Sequence, residues 1–287
     1  MNTFFLDRLN SEPHALAFAG QSTPWPVTLA DQSANPVLDE ALHTHADAAQ
    51  ALLYPVSADL LATTGRPVDL FGFEPNPARL GAAAAASASV PGIALAQLGA
   101  LLDAASLGYN PAVAKPVAVL GHSQGVLAVH MVQAIVEAGS IEAASAQIDE
   151  ILAIATLIGV AGTRQARQLG LAARHGEATP MLSVKDITRA QVDALIKRVS
   201  GARGPIAVAV TNSATHYVLS GYPEDLAAFG VEVAKEHKHQ AKLREEKVRG
   251  GRVFEPVLEY LDVTLPFHSP LMAEAVSQAV SWAESCG

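Results

Sequence analysis

The run Val117-Ala118-Val119-Leu120 passes at once into Gly121-His122-Ser123-Gln124-Gly125, and then into the helical apolar spacing of Val126 to Gly139. No other stretch constrains the fold as much. Consecutive apolar residues with β-branched members read as a strand buried on both faces, as in parallel sheets covered by helices. A strand turning straight into a helix through G-x-S-x-G forms a sharp elbow that leaves the serine hydroxyl exposed. The glycines let the backbone turn beside Ser123. The hydroxyl then lies at the positive end of the following helix. The backbone N–H of Gln124 points toward the place where an oxyanion would form. The bare pattern is common by chance, but the flanking strand and helix make an ordinary turn the weaker reading.

The rest of the composition agrees with helices on a buried sheet. The chain has 287 residues, of which 50% are apolar, 16% charged and 5% aromatic. That suffices for one large domain, or for a large domain with a smaller one inserted. A net charge of -9 supplies no general basic field, so neither nucleic acid nor an anionic membrane is an expected partner. Cys286 is the single cysteine, which fits a reducing compartment. Residues 1–13 lack a basic start and an uninterrupted apolar stretch, so no secretory leader is expected. No run is expected to reach bilayer-spanning length, and cytoplasm is the expected location.

His14 to Gly20 reads as a short buried strand ending in a glycine turn. Pro24, Pro26 and Pro36 suggest loop at first, then helix to about residue 64. Gly65-Arg66-Pro67 breaks it, and Phe71 to Pro77 reads as loop. The alanine-rich stretch from Gly81 to Val90 reads as helix, and Pro91 to Gly108 as a further helix with proline at its start. Another runs from Ser140 to about Gly159. From Pro180 the pattern is β-α-β-β-α: strand to Val184, helix from the Thr188 cap to Val199, strands at Ile206 to Thr211 and His216 to Leu219, helix from Pro223 to Glu236. Val253 to Val263 supplies a final strand. The order matches a ferredoxin-like unit. The expected fold is therefore α/β, a hydrolase-like domain with a central, mostly parallel sheet and an inserted ferredoxin-like subdomain. The boundaries expected are 1–175 with 253–287 for the catalytic domain, and 176–252 for the insert. The basic stretch 235–252 reads as a solvated helix end, with a phosphate-binding surface as the sharper alternative.

A serine hydroxyl needs a base. Of ten histidines, His122 adjoins the serine but points elsewhere, and reads as a packing or supporting residue placed among the substrate-binding ones. His130 falls on a helix flank. His43, His45, His237 and His239 come in pairs without a third ligand at metal spacing, so surface or loop positions are expected and no metal site. His268 stands in Leu265-Pro266-Phe267-His268-Ser269-Pro270-Leu271-Met272, at an expected strand end with prolines on both sides. Its backbone is restricted and its imidazole is free to project into a cleft.

Four segments in order resemble the acyl-carrier-protein acyltransferase family, the malonyl and acetyl transferases of fatty acid and polyketide synthesis. They are Phe18-Ala19-Gly20-Gln21, Gly121 to Gly125, Asn212-Ser213 with Val218-Leu219-Ser220-Gly221, and Pro266 to Met272. The resemblance implies that Ser123 takes an acyl group from coenzyme A and passes it to a phosphopantetheine thiol. It makes His268 the general acid and base, puts the N–H groups of Gln21 and Gln124 in the oxyanion hole, and gives Asn212 a supporting, substrate-binding part. It implies an acyl carrier protein, a coenzyme A thioester and other domains of a multifunctional synthase as partners, with no bound cofactor. Two departures stand out. The loop reads Gly20-Gln21-Ser22-Thr23 where a second glycine is usual, and the chain ends sooner after His268 than family members do. The early end is expected to mean either an excised piece of a longer polypeptide or support for His268 from elsewhere.

Malonyl-accepting relatives place an arginine on a helix after the elbow, where it grips the free carboxylate. Here no arginine occurs from residue 80 to 163, and Ile158, before Gly159, takes the matching place. Gln124 and Val126 also replace the leucine and glutamate common in malonyl transferases. The sequence thus resembles the acetyl transferase domain at the start of type I fatty acid synthases, with acetyl-CoA as expected substrate, and Met1 agrees with a leading position. The alternative is a serine esterase or thioesterase, which would need Asp186, Asp193 or Asp225 as a third member.

Overall fold

The structure, a computed structural model, describes residues 8–21, 23–65, 67–69, 86–171, 178–199, 203–246 and 254–287. The expectations for Phe71 to Pro77, for Ser22 and for residues 81–85 and 247–253 lie outside these. The chain forms two compact units, Met1–Thr163 with Ser277–Gly287, and Arg164–Val276. The first is discontinuous in sequence. These boundaries differ from the 175/176 and 252/253 positions drawn from the sequence, and the His268 segment falls in the second unit.

In the first unit, β1 (Ala15–Phe18) pairs in parallel with β2 (Ala118–Gly121), Phe18 opposite Gly121. Among the described residues this sheet has two strands, where the sequence suggested a larger central one. Helices α1 (Trp25–Ser33), α2 (Pro36–Leu52) and α3 (Ser57–Thr64) precede β2, as do α4 (Ala86–Ser106) and the single turn α5 (Pro111–Ala114). Helix α6 (Val126–Ala138) follows the elbow, and α7 (Ser145–Gln168) follows it. Of the prolines read as loop, Pro24 precedes α1 as its cap, while Pro26 and Pro36 stand in first turns instead. Pro26 opens α1, and Pro36 opens α2 behind the Asn35 cap, whose side chain accepts from Val37 N–H at 3.1 Å. A first-turn proline loses no helix bond, because its missing N–H had no partner there. Pro91 is the reverse case. It lies inside α4 rather than at its start.

α4 is buried over nearly its whole first half, with Leu95, Leu98 and Ala94 fully enclosed. Contrary to the sequence expectation, α4 and α7 are both long and apolar enough to cross a bilayer by length and composition. In the first, 72% of the apolar window is buried inside the protein, and a helix apolar on all sides reads the same in a core as in a membrane.

The second unit carries β3 (Met181–Lys185), α8 (Arg189–Arg198), β4 (Ala207–Ser213), β5 (His216–Ser220), α9 (Pro223–Glu245) and β6 (Val257–Tyr260). The strands form one antiparallel sheet in the order β4-β5-β3-β6. Alternation explains its layers. Leu182 and Val184 of β3 join Leu219, Leu195, Leu226 and Phe229 in one core, while Met181 joins Val218 and Val263 in another. Thr188 starts α8 with a reciprocal capping box to Gln191. α9 continues nine residues past the expected Glu236, into the basic stretch as far as Glu245. Several of its charges are paired, Lys235 with Glu232 and Arg198 with Glu236. Helix α10 (Ala273–Cys286) closes the chain.

Candidate functional site

The elbow is built where β2 ends. His122 N–H donates to the Phe18 carbonyl at 2.9 Å, and Gly125 N–H donates to the His122 carbonyl at 2.9 Å. The turn forces Ser123 to φ +51°. Left-handed backbone is uncommon for a non-glycine residue and persists only where surrounding structure imposes it. The Ser123 side chain is partly exposed, and α6 begins at Val126.

Two glycines allow the strand loop to lie directly on this turn. A Cβ on Gly125 would run into the carbonyls of Phe18 and Ala19. A Cβ on Gly20 would meet the His122 carbonyl oxygen at 2.7 Å and the Gln124 nitrogen at 3.4 Å. The backbone of Gly20-Gln21 therefore lies beside that of Ser123-Gln124, which is what two converging N–H donors need.

Side chains join the same two segments. Gln21 Nε2 donates to Gln124 Oε1 at 2.5 Å, and Gln124 Nε2 donates to the Val90 carbonyl at 2.5 Å. Ser89 Oγ donates to Gln21 Oε1 at 3.2 Å. The chain of bonds thus leaves α4 at Ser89 and returns to it at Val90. His122 contributes its backbone to the turn, and its side chain is exposed. Ile158 lies on α7 and is 37% exposed.

In the second unit, β6 ends at Tyr260, so His268 does not follow a strand directly, as the sequence suggested. It occupies a tight turn. Phe267 N–H donates to the Leu265 carbonyl at 2.9 Å, Ser269 Oγ to the Pro266 carbonyl at 2.7 Å, and Met272 N–H to the Ser269 carbonyl at 3.0 Å. Gln165 Nε2 holds the Leu271 carbonyl at 2.9 Å. His268 is exposed and has φ +56°. Only four described non-glycine residues have positive φ, and Ser123 and His268 are two of them. Backbone strain of this kind concentrates at functional positions.

Asn212 is exposed on β4. Its Nδ2 donates to His216 Nε2 at 3.4 Å, and Ser183 Oγ lies 3.1 Å from the same nitrogen. An amide nitrogen only donates, so this arrangement requires the tautomer with Nε2 unprotonated.

The sequence did not mark Ser89, Val90 or Gln97 of α4. A signal exists for Gln97, a lone amide in an otherwise apolar helical run. His45, expected at the surface, is buried on α2, and its Nδ1 lies 2.6 Å from Asp149 Oδ1 of α7. Among the described residues, no group of three or more His, Cys, Asp or Glu could hold a metal. Burial pushes the Cys286 thiol above its ordinary value, which keeps it from being a competing thiolate.

The family model described as "Fatty acid synthase central AT domain" matches residues 180–260, the stretch from β3 to β6. The fatty acid synthase beta subunit hexB of Dothistroma septosporum is 27% identical over 169 residues, which is 54% of this chain and 9% of that protein. The chain thus spans under a tenth of that relative. The malonyl CoA-acyl carrier protein transacylase of Coxiella burnetii has a similar fold, with TM-score 0.57 and 20% identity over 94% of this chain and 68% of that one. A loading acyltransferase from the avermectin modular polyketide synthase gives TM-score 0.57 and 19% identity over 94% and 67%. The chain resembles the acyl-carrier-protein acyltransferase family in sequence and in α/β fold.

Proposed function

We propose that this chain transfers a small acyl group from a coenzyme A thioester, through an ester on Ser123, to the phosphopantetheine thiol of an acyl carrier protein. The observation that carries the reading is the elbow, with Ser123 at φ +51° and the Gly20-Gln21 loop lying against Gln124. In this reading the first unit is a hydrolase-like domain, and β3 to β6 with α8 and α9 form a ferredoxin-like subdomain. In this reading the chain works beside the other domains of a synthase, as one part of a fatty acid synthase like the Dothistroma beta subunit it resembles, and its place is the cytoplasm.

The proposed chemistry has two half-reactions. Ser123 Oγ attacks the thioester carbonyl as His268 takes its proton. The carbonyl oxygen gains negative charge and accepts bonds from the N–H groups of Gln21 and Gln124. The C–S bond breaks, and His268 returns the proton to the coenzyme A thiolate. The carrier thiol then attacks the ester, gives its proton to His268, and Ser123 leaves with that proton. Ping-pong kinetics follow. Asn212, in this reading, supports the substrate from β4.

We assign acetyl, or another small neutral group, as the cargo. Arginine is missing from residue 80 to 163, and Ile158 stands where the family grips a carboxylate. Once substrate covers that face, an unpaired malonyl carboxylate would cost on the order of several kcal/mol. Of the acids a triad hydrolase would need, Asp225 already accepts the N–H groups of Arg203 and Gly204, and Asp193 accepts from Arg189.

Intact-protein mass spectrometry after mixing with acetyl-CoA or malonyl-CoA tests the reading. An acetyl adduct that Ser123→Ala abolishes, with little malonyl adduct, is the expected result. Equal labelling would retain the transferase and remove the acetyl assignment. Turnover to free acid without an adduct would move the weight to a thioesterase. Ile158→Arg should raise malonyl labelling relative to acetyl, and a folded variant without that gain would sink the placement of Ile158.

A further inference from the structure

Resting on the acyl-transfer reading, we propose that Thr23 and Gln97 are positioning residues that aim the oxyanion-binding N–H of Gln21 in the Gly20-Gln21 loop. Neither touches the reacting atoms. Each holds one carbonyl of the loop. Gln97 Nε2 donates to the Ala19 carbonyl at 2.7 Å, and Thr23 Oγ1 donates to the Gly20 carbonyl at 2.6 Å.

The peptide plane converts these bonds into an aim. The described chain has no cis peptide, so each N–H points opposite the carbonyl of its own peptide unit. Fixing the Gly20 carbonyl on Thr23 therefore fixes the direction of the Gln21 N–H. Fixing the Ala19 carbonyl on Gln97 fixes the preceding plane, and hence how Gly20 lies on His122 and Gln124. Two of the bonds that hold this loop start on α4, at Ser89 and Gln97.

Gln97 is an expensive way to fill its position. It is 8% exposed within a helix of apolar neighbours, and its Oε1 has no hydrogen-bond partner. Burying an unpaired amide oxygen destabilises a protein, and an aliphatic side chain would not incur that penalty. Locally unfavourable choices of this kind concentrate where function needs them. A carbonyl oxygen can only accept, so the amide nitrogen must face Ala19, and the orphaned oxygen is the consequence of that one bond. Thr23 adds a second constraint from outside the core. The two together leave the Gly20-Gln21 planes little freedom, which is the preorganisation that oxyanion stabilisation depends on.

The test uses Thr23→Val and Gln97→Met, which keep the side-chain size and lose the donor, and Thr23→Ser, which keeps the hydroxyl. Two rates are measured on each purified protein. One is acetyl-enzyme formation from acetyl-CoA, resolved into kcat and KM. The other is labelling of Ser123 by an alkyl fluorophosphonate, which needs the same oxyanion site but no thioester. Thermal melting identifies any variant that fails to fold. We expect both donor-deleting variants to lose about tenfold to a hundredfold in both rates, less than the ~10²–10³ seen for loss of a direct oxyanion donor. KM should stay near the wild-type value, and Thr23→Ser should recover most of the rate. If folded Thr23→Val and Gln97→Met match wild type in both rates while Ser123→Ala takes no label, the positioning role is overturned and acyl transfer stands. If wild type takes phosphonate but no acyl group, the acyl-transfer reading falls, and the phosphonate rates of the variants still decide the positioning role. A wild type that takes neither overturns both.

Discussion

Leu120 and Leu219 are each the next-to-last residue of a short strand, yet Leu120 is 60% exposed and Leu219 is fully buried. The contrast extends to their sheets. In the second unit, β5 and β3 sit against α8 and α9 with Leu182, Leu195, Leu226 and Phe229 enclosed. In the first unit, Val117, the residue just before β2, is also 71% exposed. Apolar burial holds the antiparallel sheet. The parallel pair owes its place more to backbone contact and polar bonds, through Gly20, Gly125, Gln21 and Gln124. The elbow turn is thus specified by geometry at close range, while the antiparallel sheet of the second unit is specified by a core.

Four substitutions test that contrast, taken from the largest effect on stability to the smallest. Phe229→Ala should cost about 3–5 kcal/mol by chemical denaturation, as for other buried aromatics. A loss under about 1 kcal/mol would mean that the core does not hold this sheet. Gly125→Ala should cost about 1–3 kcal/mol, because its Cβ has no room beside the Phe18 carbonyl. Acyl labelling of Ser123 should fall much further than that loss alone explains. Unchanged labelling would show that the loop does not need to lie on the elbow.

Glu236 concerns a surface pair of the second unit. Hydrogen bonds from Gln240, then Arg198, hold its carboxyl below the ordinary value. A depressed carboxylate adds stability that is present above its unfolded pKa and is lost as pH falls through its folded one. Glu236→Gln should therefore flatten the acid limb of a melting-temperature profile, with an effect near neutral pH of about 0–1 kcal/mol. An acid limb identical to wild type would remove this pair from the account. Leu120→Lys should lie within about 0.5 kcal/mol of wild type, as surface changes do. A large destabilisation in the melting curve would mean that β2 is covered in solution, and the contrast between the sheets would fail.

Much of the second unit was legible before the structure. Alternation located β3, β4 and β5 to within about two residues, and Thr188 marked its helix start, because these signals are local. The elbow was legible for the same reason, since strand, turn and helix are contiguous from Ala118 to Ala138. The prolines misled, because Pro26 and Pro36 have the same composition in a first turn as in a loop. Val117 to Leu120 misled more instructively. An apolar β-branched run states what a strand can bury against, not whether anything covers it.

By itself, the sequence determined the β-α-β-β-α order of the second unit, the serine at the strand-to-helix turn, and the histidine held between prolines. Those follow from steric and hydrophobic rules acting over a few residues. Only the tertiary structure decided what lies against the serine. The bonds that join Gln21 to Gln124, Gln97 to Ala19 and Ser89 to Gln21 cross 103, 78 and 68 positions of chain. A side-chain amide has no periodicity to betray its partner, and its bond exists only after the helices have packed.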